Sequence, residues 1–236
     1  MTRVSLVTGG SRGIGFAVAT SLLNRGDSVA ITGTSAERVH EAANELANHA
    51  ATDRVLPVVC DVREAPSVES AMRAIEGRFG GIDVLVNNAG VGVGAPIADL
   101  SEDEWHRIID TNLTGVYHCC KAAIPRLRRR GGGWIINISS LASKNPFAGG
   151  AAYCASKAGL NAFSEALMQE LRYDNIRVSY VLPGSVATGF SGRTATAGED
   201  WRLSPDDVAQ VILDLLSHPA RSLPSRVEIR PSKPRK

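Results

Sequence analysis

Short apolar, β-branched runs alternate with longer amphipathic stretches along the whole of this 236-residue chain. Parallel strands that are buried on both faces need apolar side chains at every position, and helices must cover those faces. The alternation therefore predicts an α/β fold: a doubly wound three-layer sandwich of about seven parallel strands flanked by six helices. The predicted strands are 3–8, 28–33, 55–60, 84–87, 134–138, 177–182 and 226–230, and the predicted helices lie near 14–25, 36–50, 66–78, 102–130, 152–173 and 205–217.

Composition narrows the class of protein further. The net charge is only +2, so no strong field favours nucleic acid or an acidic membrane. No apolar run approaches about 18 residues, and the start MTRVSLVTGG is typical of a strand entering a turn, not of a signal peptide. The four cysteines and five histidines lack disulfide or metal-ligand spacing. We expect a single domain over residues 1–236: a reduced, cytoplasmic, metal-free enzyme that binds neither nucleic acid nor membrane.

Two stretches of the chain are strongly basic. The first follows Pro125, a residue that is expected to kink or end the fourth helix, and it contains Arg126, Arg128, Arg129 and Arg130. The second is the tail from Arg226 to Lys236. Each could meet an anionic partner, but we favour arginines that decorate a helix C-terminus, where cations are favoured, and a solvated tail that improves solubility.

A glycine-rich turn, TGGSRGIG, follows the first strand and precedes an apolar-periodic helix. Glycines let the backbone turn tightly and let a ligand approach the main chain. The helix start presents unpaired N–H groups and partial positive charge, which suit a phosphate. Glycine turns also serve packing alone, but this strand–turn–helix context predicts a Rossmann-type dinucleotide site. Its predicted members are Gly9, Ser11, Arg12, Gly13, Ile14 and Gly15.

The end of the second strand indicates which dinucleotide binds. An NAD site usually places a carboxylate there, which binds the adenosine ribose and repels a 2′-phosphate. This chain has Gly33, Thr34 and Ser35 instead, and Arg12 can donate charge-assisted hydrogen bonds to a phosphate. We favour NADP(H) over NAD(H). The alternative is an exposed Arg12 beside a loop that does not discriminate between them.

Two further turns would border the adenosine half of the cofactor. Asp61, with Val62, could hydrogen-bond the adenine amino group or could simply cap the next turn. Asn88, Ala89 and Gly90 would leave space for the cofactor, and a turn that ties adjacent strands is a compatible alternative. The loop after the sixth strand offers backbone groups and a hydroxyl at the same sheet edge, from Pro183, Gly184, Val186 and Thr188.

Tyr153 and Lys157 lie four residues apart at the start of a predicted helix, so their side chains share a face. A nearby ammonium should lower the pKa of the phenol from about 10, and Tyr153 could then donate a proton to a carbonyl oxygen as hydride reaches the carbon. This spacing alone occurs by chance on many helices. Ser140, at the end of the fifth strand, and Asn112, in the fourth helix, complete the candidate catalytic set.

Together these motifs resemble the short-chain dehydrogenase/reductase family in its compact form. The matching segments are TGGSRGIG, NNAG, Asn112, NISS, YCASK and PGSVAT, in the family's order over about residues 3–190. The chain is similar to carbonyl reductases of the 3-oxoacyl acyl-carrier-protein reductase type. One departure is its end, VEIRPSKPRK, where many relatives that reduce acyl-carrier thioesters have a strand followed by a glycine pair.

The resemblance implies a role for each site residue. Tyr153 would be the catalytic acid/base, and Ser140 would orient the substrate carbonyl. Lys157 would bind the nicotinamide ribose and lower the pKa of Tyr153, while Asn112 would hold a water of a proton relay. The resemblance also implies that the main chain of Val186 contacts the carboxamide, and it implies cofactor contacts by Gly9, Arg12, Ile14, Asp61, Asn88 and Thr188.

We therefore expect an oxidoreductase whose small-molecule substrate is a carbonyl compound or alcohol: a ketone, aldehyde or 3-oxoacyl compound. One alternative is a protein that binds NADP(H) without turnover, although such proteins usually lose the tyrosine or the lysine. Sugar epimerases need an added C-terminal domain, for which the roughly 50 residues after Pro183 are too few. Helices 102–130 and 152–173 carry apolar residues on an outer face, and relatives commonly pair these helices, which predicts a homo-oligomer, a dimer or tetramer.

Substrate specificity is expected to lie in three segments: a short lid near 189–203, residues 141–148 and residues 91–96. Gly189, Gly192 and Gly198 would make the lid mobile. The apolar walls would be Leu141, Phe147, Phe190 and Trp201, and packing between the lid and the body is the alternative role for these side chains.

Overall fold

The computed structural model describes residues 2–48, 52–92, 94–190 and 201–234. Within those residues the chain forms one parallel sheet of seven strands in the order β3-β2-β1-β4-β5-β6-β7. The strands are β1 (Val4–Val7), β2 (Ser28–Gly33), β3 (Val55–Val59), β4 (Val84–Asn87), β5 (Gly133–Ile138), β6 (Ile176–Pro183) and β7 (Arg226–Ile229). The strand order reverses between β1 and β4, and doubly wound sheets bind ligands in the crevice at such a point.

The predicted fold class is confirmed, helices included. They are α1 (Gly13–Asn24), α2 (Ala36–Ala47), α3 (Ala65–Phe79), α4 (Glu102–Ile109), α5 (Gly115–Arg129), α6 (Ala151–Leu171) and α7 (Pro205–Ser217). A π-helical turn, Asp110–Thr114, joins α4 to α5, so these two are the single fourth helix of the prediction. Across the described residues, no helix has the length and apolar character needed to span a membrane.

An apolar core lies on each face of the sheet. Helices α1, α2 and α7 cover one core, in which Leu22, Ile31 and Ile212 are fully buried. Helices α3, α5 and α6 cover the other core. The adjacent residues Leu6 and Val7 of β1 belong to different cores, because side chains alternate along a strand. This explains why the strands are apolar at nearly every position.

The helix does not end at Pro125, which was one of the two expected effects of this proline, because tertiary contacts hold its last turn. Proline removes one backbone hydrogen bond, yet α5 continues to Arg129. The side chain of Arg126 is only 9% exposed and donates to Glu69 at 2.7 Å and Glu76 at 2.9 Å, both on α3. The arginines decorate a helix C-terminus, as expected, and those that follow Arg126 are also paired, with Asp174, Glu76 and Asp83.

Candidate active site

A cavity of about 1190 Å³ opens at the carboxyl edge of the sheet. Two predicted site residues, Gly15 and Asn112, are buried behind its wall and do not line it. The other predicted site residues line it together: Gly9, Ser11, Arg12, Gly13, Ile14, Thr34, Ser35, Asp61, Val62, Asn88, Ala89, Gly90, Ser140, Tyr153, Lys157, Pro183, Gly184, Val186 and Thr188.

The glycine turn needs glycine for two different reasons. Gly9 and Gly13 adopt φ angles of +62° and +56°, a region that side chains with a Cβ rarely enter. Gly15 is needed for packing, because a Cβ there would lie 2.4 Å from both the Asn88 side-chain nitrogen and the Gly9 carbonyl oxygen. Gly15 therefore lets α1 approach the turn after β4, and that turn lines the cavity.

Asn88 ties the glycine turn to the turn after β4. Its Nδ2 donates to the carbonyl oxygens of Thr8 and Gly9, at 3.0 Å each. In return the Thr8 hydroxyl accepts from the backbone N–H groups of Asn88 and Ala89, both at 3.0 Å. Asn88 thus ties adjacent strands, as one interpretation of the sequence expected, while it also lines the cavity.

The end of β2 presents hydroxyls and cations to the cavity. Thr32, at this end, has a buried hydroxyl without a hydrogen-bond partner. Arg12 from the glycine turn and Arg38 from the first turn of α2 also line the cavity. Arg38 is not among the site residues that the sequence predicted. A cation in the first turn of a helix is unfavourable because of the helix dipole. This unusual placement is the sequence signal that could have identified Arg38.

Asp61 caps the turn that follows β3, and this is one of the two roles expected for it. Its carboxylate accepts a hydrogen bond from the backbone N–H of Arg63 at 3.0 Å and from the Arg63 guanidinium at 2.6 Å. The side-chain hydrogen bond from Arg63 is the main cause that lowers the pKa of Asp61. This carboxylate is therefore ionised and already held by a cation.

Tyr153, Ser140 and Lys157 converge in the cavity. The side chain of Ser140 acts to lower the pKa of the Tyr153 phenol, and Nζ of Lys157 lies 5.9 Å from the centroid of the phenol ring. Nζ also donates to the Ile138 carbonyl oxygen at 2.7 Å. Tyr153 and Lys157 lie one turn apart on α6, as their spacing predicted.

Burial governs the titration of both groups. It raises the pKa of Tyr153, and the hydrogen bond with Ser140 only partly opposes this rise. The predicted lowering of the Tyr153 pKa by Lys157 is therefore wrong for this structure, because desolvation of the phenolate outweighs the favourable interactions. Burial also lowers the pKa of Lys157 from 10.5 to about 8.

Asn112 is held in the π-helical turn and is fully buried. Its side-chain amide donates to the Val91 carbonyl at 2.9 Å and to the Ser156 hydroxyl at 3.0 Å, and its Oδ1 accepts from the Val91 N–H at 2.8 Å. Its protein contacts thus join the segment after Gly90 to α6. The expected role in a water relay stays a prediction.

The loop after β6 closes the cavity near the glycine turn. A Cβ on Gly13 would lie 3.3 Å from Cγ2 of Thr188, so the two segments are in contact range. The expected lid, near 189–203, falls mostly on residues 191–200, which lie outside the described residues, as do Gly192 and Gly198. Its base is described: the Leu203 N–H donates to the Ser185 carbonyl at 3.0 Å.

The far end of the cavity has apolar and basic walls. The predicted wall residues line it, and the ring of Phe190 lies 5.8 Å from that of Tyr153. Arg230, Pro231 and Pro234 line it as well, which corrects the expectation of a purely solvated tail. β7 pairs in parallel with β6, so the residues after β7 emerge at the same sheet edge as the loop after β6.

Fold and cavity together define a doubly wound, Rossmann-type protein with a tyrosine–lysine pair at the switch point of its sheet. The family model for short chain dehydrogenases matches residues 3–198. An uncharacterised oxidoreductase of Staphylococcus aureus strain MRSA252 is 31% identical over 97% of both chains. The chain belongs to the short-chain dehydrogenase family.

Solved structures agree with this assignment. The alcohol dehydrogenase of the archaeon Thermococcus sibiricus, complexed with 5-hydroxy-NADP, is 31% identical with a TM-score of 0.91, over 100% of this chain and 99% of that one. A metagenomic short-chain oxidoreductase in complex with NADP is 36% identical with a TM-score of 0.85, over 98% of both chains. A variant of actinorhodin polyketide ketoreductase with NADPH is 30% identical with a TM-score of 0.89, over 98% of this chain and 96% of that one.

The buried ammonium of Lys157 predicts a stability effect. The gap between a pKa of 10.5 unfolded and about 8 folded corresponds to ~3 kcal/mol that opposes folding below pH 8, and this opposition fades as the pH rises toward 10.5. Lys157→Met removes it and loses the hydrogen bond to Ile138, worth ~1 kcal/mol. We expect Lys157→Met to raise the free energy of unfolding of the cofactor-free protein at pH 7 by about 2 kcal/mol.

Denaturant unfolding at pH 7 and pH 10 measures this effect, and the gain should shrink at the higher pH. The control is Lys121→Met on the exposed side of α5, with an expected change within about 0.5 kcal/mol at both pH values. A Lys157→Met protein that is less stable at pH 7, or whose gain in stability does not depend on pH, would contradict a destabilising buried ammonium at Lys157.

Proposed function

We propose that the protein is an NADP(H)-dependent oxidoreductase that interconverts carbonyl compounds and alcohols. The observation that carries this proposal is that Ser140, Tyr153 and Lys157 line one cavity, with Nζ of Lys157 5.9 Å from the centroid of the Tyr153 ring. Apolar walls such as Leu141 and Phe147 suit a small or medium ketone, aldehyde or 3-oxoacyl compound. Alcohol dehydrogenase and ketoreductase activities in the names of the structural neighbours support the reaction class.

The chain's own residues move the proton of this reaction. Burial raises the pKa of Tyr153, so the phenol is protonated at neutral pH and can donate its proton to the substrate oxygen. The Ser140 hydroxyl would hold the same oxygen and share its developing charge. Lys157, with a pKa of about 8, is mostly charged at pH 7 and would stabilise the phenolate that remains.

Asn112 would order the path by which Tyr153 regains its proton. A Cβ on Gly90 would lie 3.3 Å from Oδ1 of Asn112 and 3.7 Å from Nζ of Lys157, so both groups border the same small residue. A π-helical turn leaves main-chain groups outside the regular helical pattern, and such turns are frequent at functional sites. This supports a water relay between Asn112 and Lys157.

The other end of the cavity fits NADP(H), which supplies the hydride when bound. The N–H groups at the start of α1 would bind the pyrophosphate. Arg12 and Arg38 would bind the 2′-phosphate, since both line the cavity beside a β2 end that lacks a carboxylate. The unpartnered hydroxyl of Thr32 suits a polar ligand there. NADP or NADPH in the names of the neighbours supports this choice over NAD(H).

The second candidate function is a protein that binds NADP(H) without turnover. The presence of both Tyr153 and Lys157, with Ser140 in the same cavity, favours catalysis over sensing. NADPH oxidation across a panel of ketones, aldehydes and 3-oxoacyl thioesters separates the two candidates.

We also propose a homo-oligomer located in the cytoplasm. The outward face of α6 carries small exposed residues: Ala151, Ala155, Ala158, Ala162 and Ala166. Two aromatic side chains, Trp105 on α4 and Tyr117 on α5, are 37% and 44% exposed. Small and aromatic side chains on an open helix face suit close packing against a second copy.

The first prediction of this proposal concerns Tyr153. Phenylalanine lacks the proton that the reaction needs but fills the same buried space, so Tyr153→Phe should lower kcat by ~10²–10⁴-fold. Its NADPH dissociation constant, measured by fluorescence titration, should stay within about threefold of the original. The control is Tyr173→Phe, which alters a tyrosine that is 92% exposed and should change neither quantity. Near-normal turnover in Tyr153→Phe would reject the assigned role.

The second prediction concerns cofactor choice. Arg38→Ala should raise the KM for NADPH roughly 10- to 100-fold, because a charge-assisted hydrogen bond to the 2′-phosphate is lost. The KM for NADH should stay nearly constant, since NADH lacks that phosphate. Arg73→Ala, an exposed arginine on α3, serves as the control. Equal losses with both cofactors would contradict a 2′-phosphate contact.

The third prediction concerns assembly. Light scattering at micromolar concentration should give a mass that is a multiple of the 25.0 kDa chain. Ala162→Glu places a charge on the outward face of α6 and should lower the mass toward a monomer. Gly77→Glu, on an open part of α3, should not. A wild-type protein that is monomeric would contradict the proposed oligomer.

A further inference from the structure

The segment after β7, residues 230–234, forms part of the cavity wall. A Cβ placed on Gly184 would lie 3.0 Å from Cδ of Pro231 and 3.2 Å from Cδ1 of Leu141. Leu141 directly follows Ser140, which lines the cavity together with Tyr153. The segment therefore borders the end of the cavity where the proposed reaction takes place.

One carboxylate in this region is shared by two cations. Glu228, on β7, accepts a hydrogen bond from Nζ of Lys144 and another from Nη2 of Arg230 at 2.7 Å. The hydrogen bond from Lys144, followed by that from Arg230, lowers the pKa of Glu228 to about 2. Glu228 is thus ionised near neutral pH, and two positive charges against one negative charge leave the cluster with a net charge of +1.

Arg230 is the member of this cluster that lines the cavity. Its side chain is 54% exposed and spends one N–H group on Glu228. A guanidinium has five N–H donors in a planar fork, so the remaining donors of Arg230 can bind two oxygens of a carboxylate or phosphate. Among the described residues that line the cavity, the one carboxylate is Asp61, and Arg63 already holds it.

We propose that the substrate carries an anionic group, a carboxylate or a phosphate, away from its reacting carbonyl, and that Arg230 binds this group. The inference rests on the proposed function and adds to that function the charge of the substrate. Arg230 is then the residue that determines specificity. Glu228 and Lys144 are positioning residues: Glu228 orients the guanidinium, and Lys144 keeps Glu228 from cancelling its charge.

Matched pairs of substrates test the proposal through the rate of NADPH oxidation. For the carboxylate, 4-oxopentanoate and 5-oxohexanoate are compared with their methyl esters. For the phosphate, acetoacetyl-coenzyme A is compared with the acetoacetyl thioester of N-acetylcysteamine, and the pair with the larger ratio identifies the source of the charge. We expect kcat/KM to favour the anionic member of at least one pair by roughly tenfold or more.

Substitutions at Arg230 connect this preference to the residue. Arg230→Ala should lower kcat/KM for the preferred anion roughly 10- to 100-fold, mainly through KM, and should leave its neutral partner within about twofold. Arg230→Lys keeps the charge but not the planar fork, so it should recover part of the loss. Arg221→Ala, an exposed arginine outside the cavity lining, is the control and should change nothing.

Three results would overturn the inference. They are equal kcat/KM for the members of every pair, a preference for the neutral members, and an equal loss for both members in Arg230→Ala. Reduction of esters without a preference for acids would reject the anionic substrate alone and leave the proposed reaction intact. Failure to reduce any member of any pair, despite NADPH binding, would reject the proposed reaction and the inference with it.

Discussion

Four hydrogen bonds between the turn after β1 and the turn after β4 hold the carboxyl edge of the sheet together. They use the Asn88 amide, the Thr8 hydroxyl and carbonyl, and the Gly9 carbonyl, all at the point where the strand order reverses. Buried backbone groups must find partners, and here the partner is a side chain from the neighbouring strand. Gly15 permits this arrangement, since any Cβ there would collide with the Asn88 amide. These hydrogen bonds hold the two turns close to each other, and the cavity lies beside them.

Two groups in that cavity titrate away from their ordinary values for the same reason. Burial disfavours the charged form of each, so the pKa of Tyr153 is raised and the pKa of Lys157 falls to about 8. A protonated phenol beside a still largely charged ammonium is a suitable starting state for proton donation at pH 7. The ammonium is kept in this apolar setting by the Ile138 carbonyl at 2.7 Å. The site thus opposes folding locally, and the two apolar cores offset that opposition.

The sequence predicted what depends on local pattern. Strands buried on both faces show continuous apolar runs, as Leu6 and Val7 illustrate, and the motif residues follow strand ends that must meet at one sheet edge. Contacts between distant residues could not be predicted. Arg126 lies at a helix C-terminus, as predicted, but its pairing with carboxylates 50 and 57 positions away could not be read from the local pattern. The predicted direction of the Tyr153 pKa shift was also wrong, because that direction depends on burial, which spacing along a helix does not reveal.

The basic tail shows how an edge strand can bring a residue into a functional site. β7 pairs with β6 in a parallel register that ends with Pro183 opposite Ile229, and the Gly184 N–H donates to the Ile229 carbonyl at 2.8 Å. Arg230 follows Ile229 directly, so the ladder determines where its backbone leaves the sheet. A ladder is more rigid than a free loop, which suits the proposed role of Arg230 in binding an anionic group. Charge specificity can therefore reside in a tail whose composition alone is typical of a solvated end.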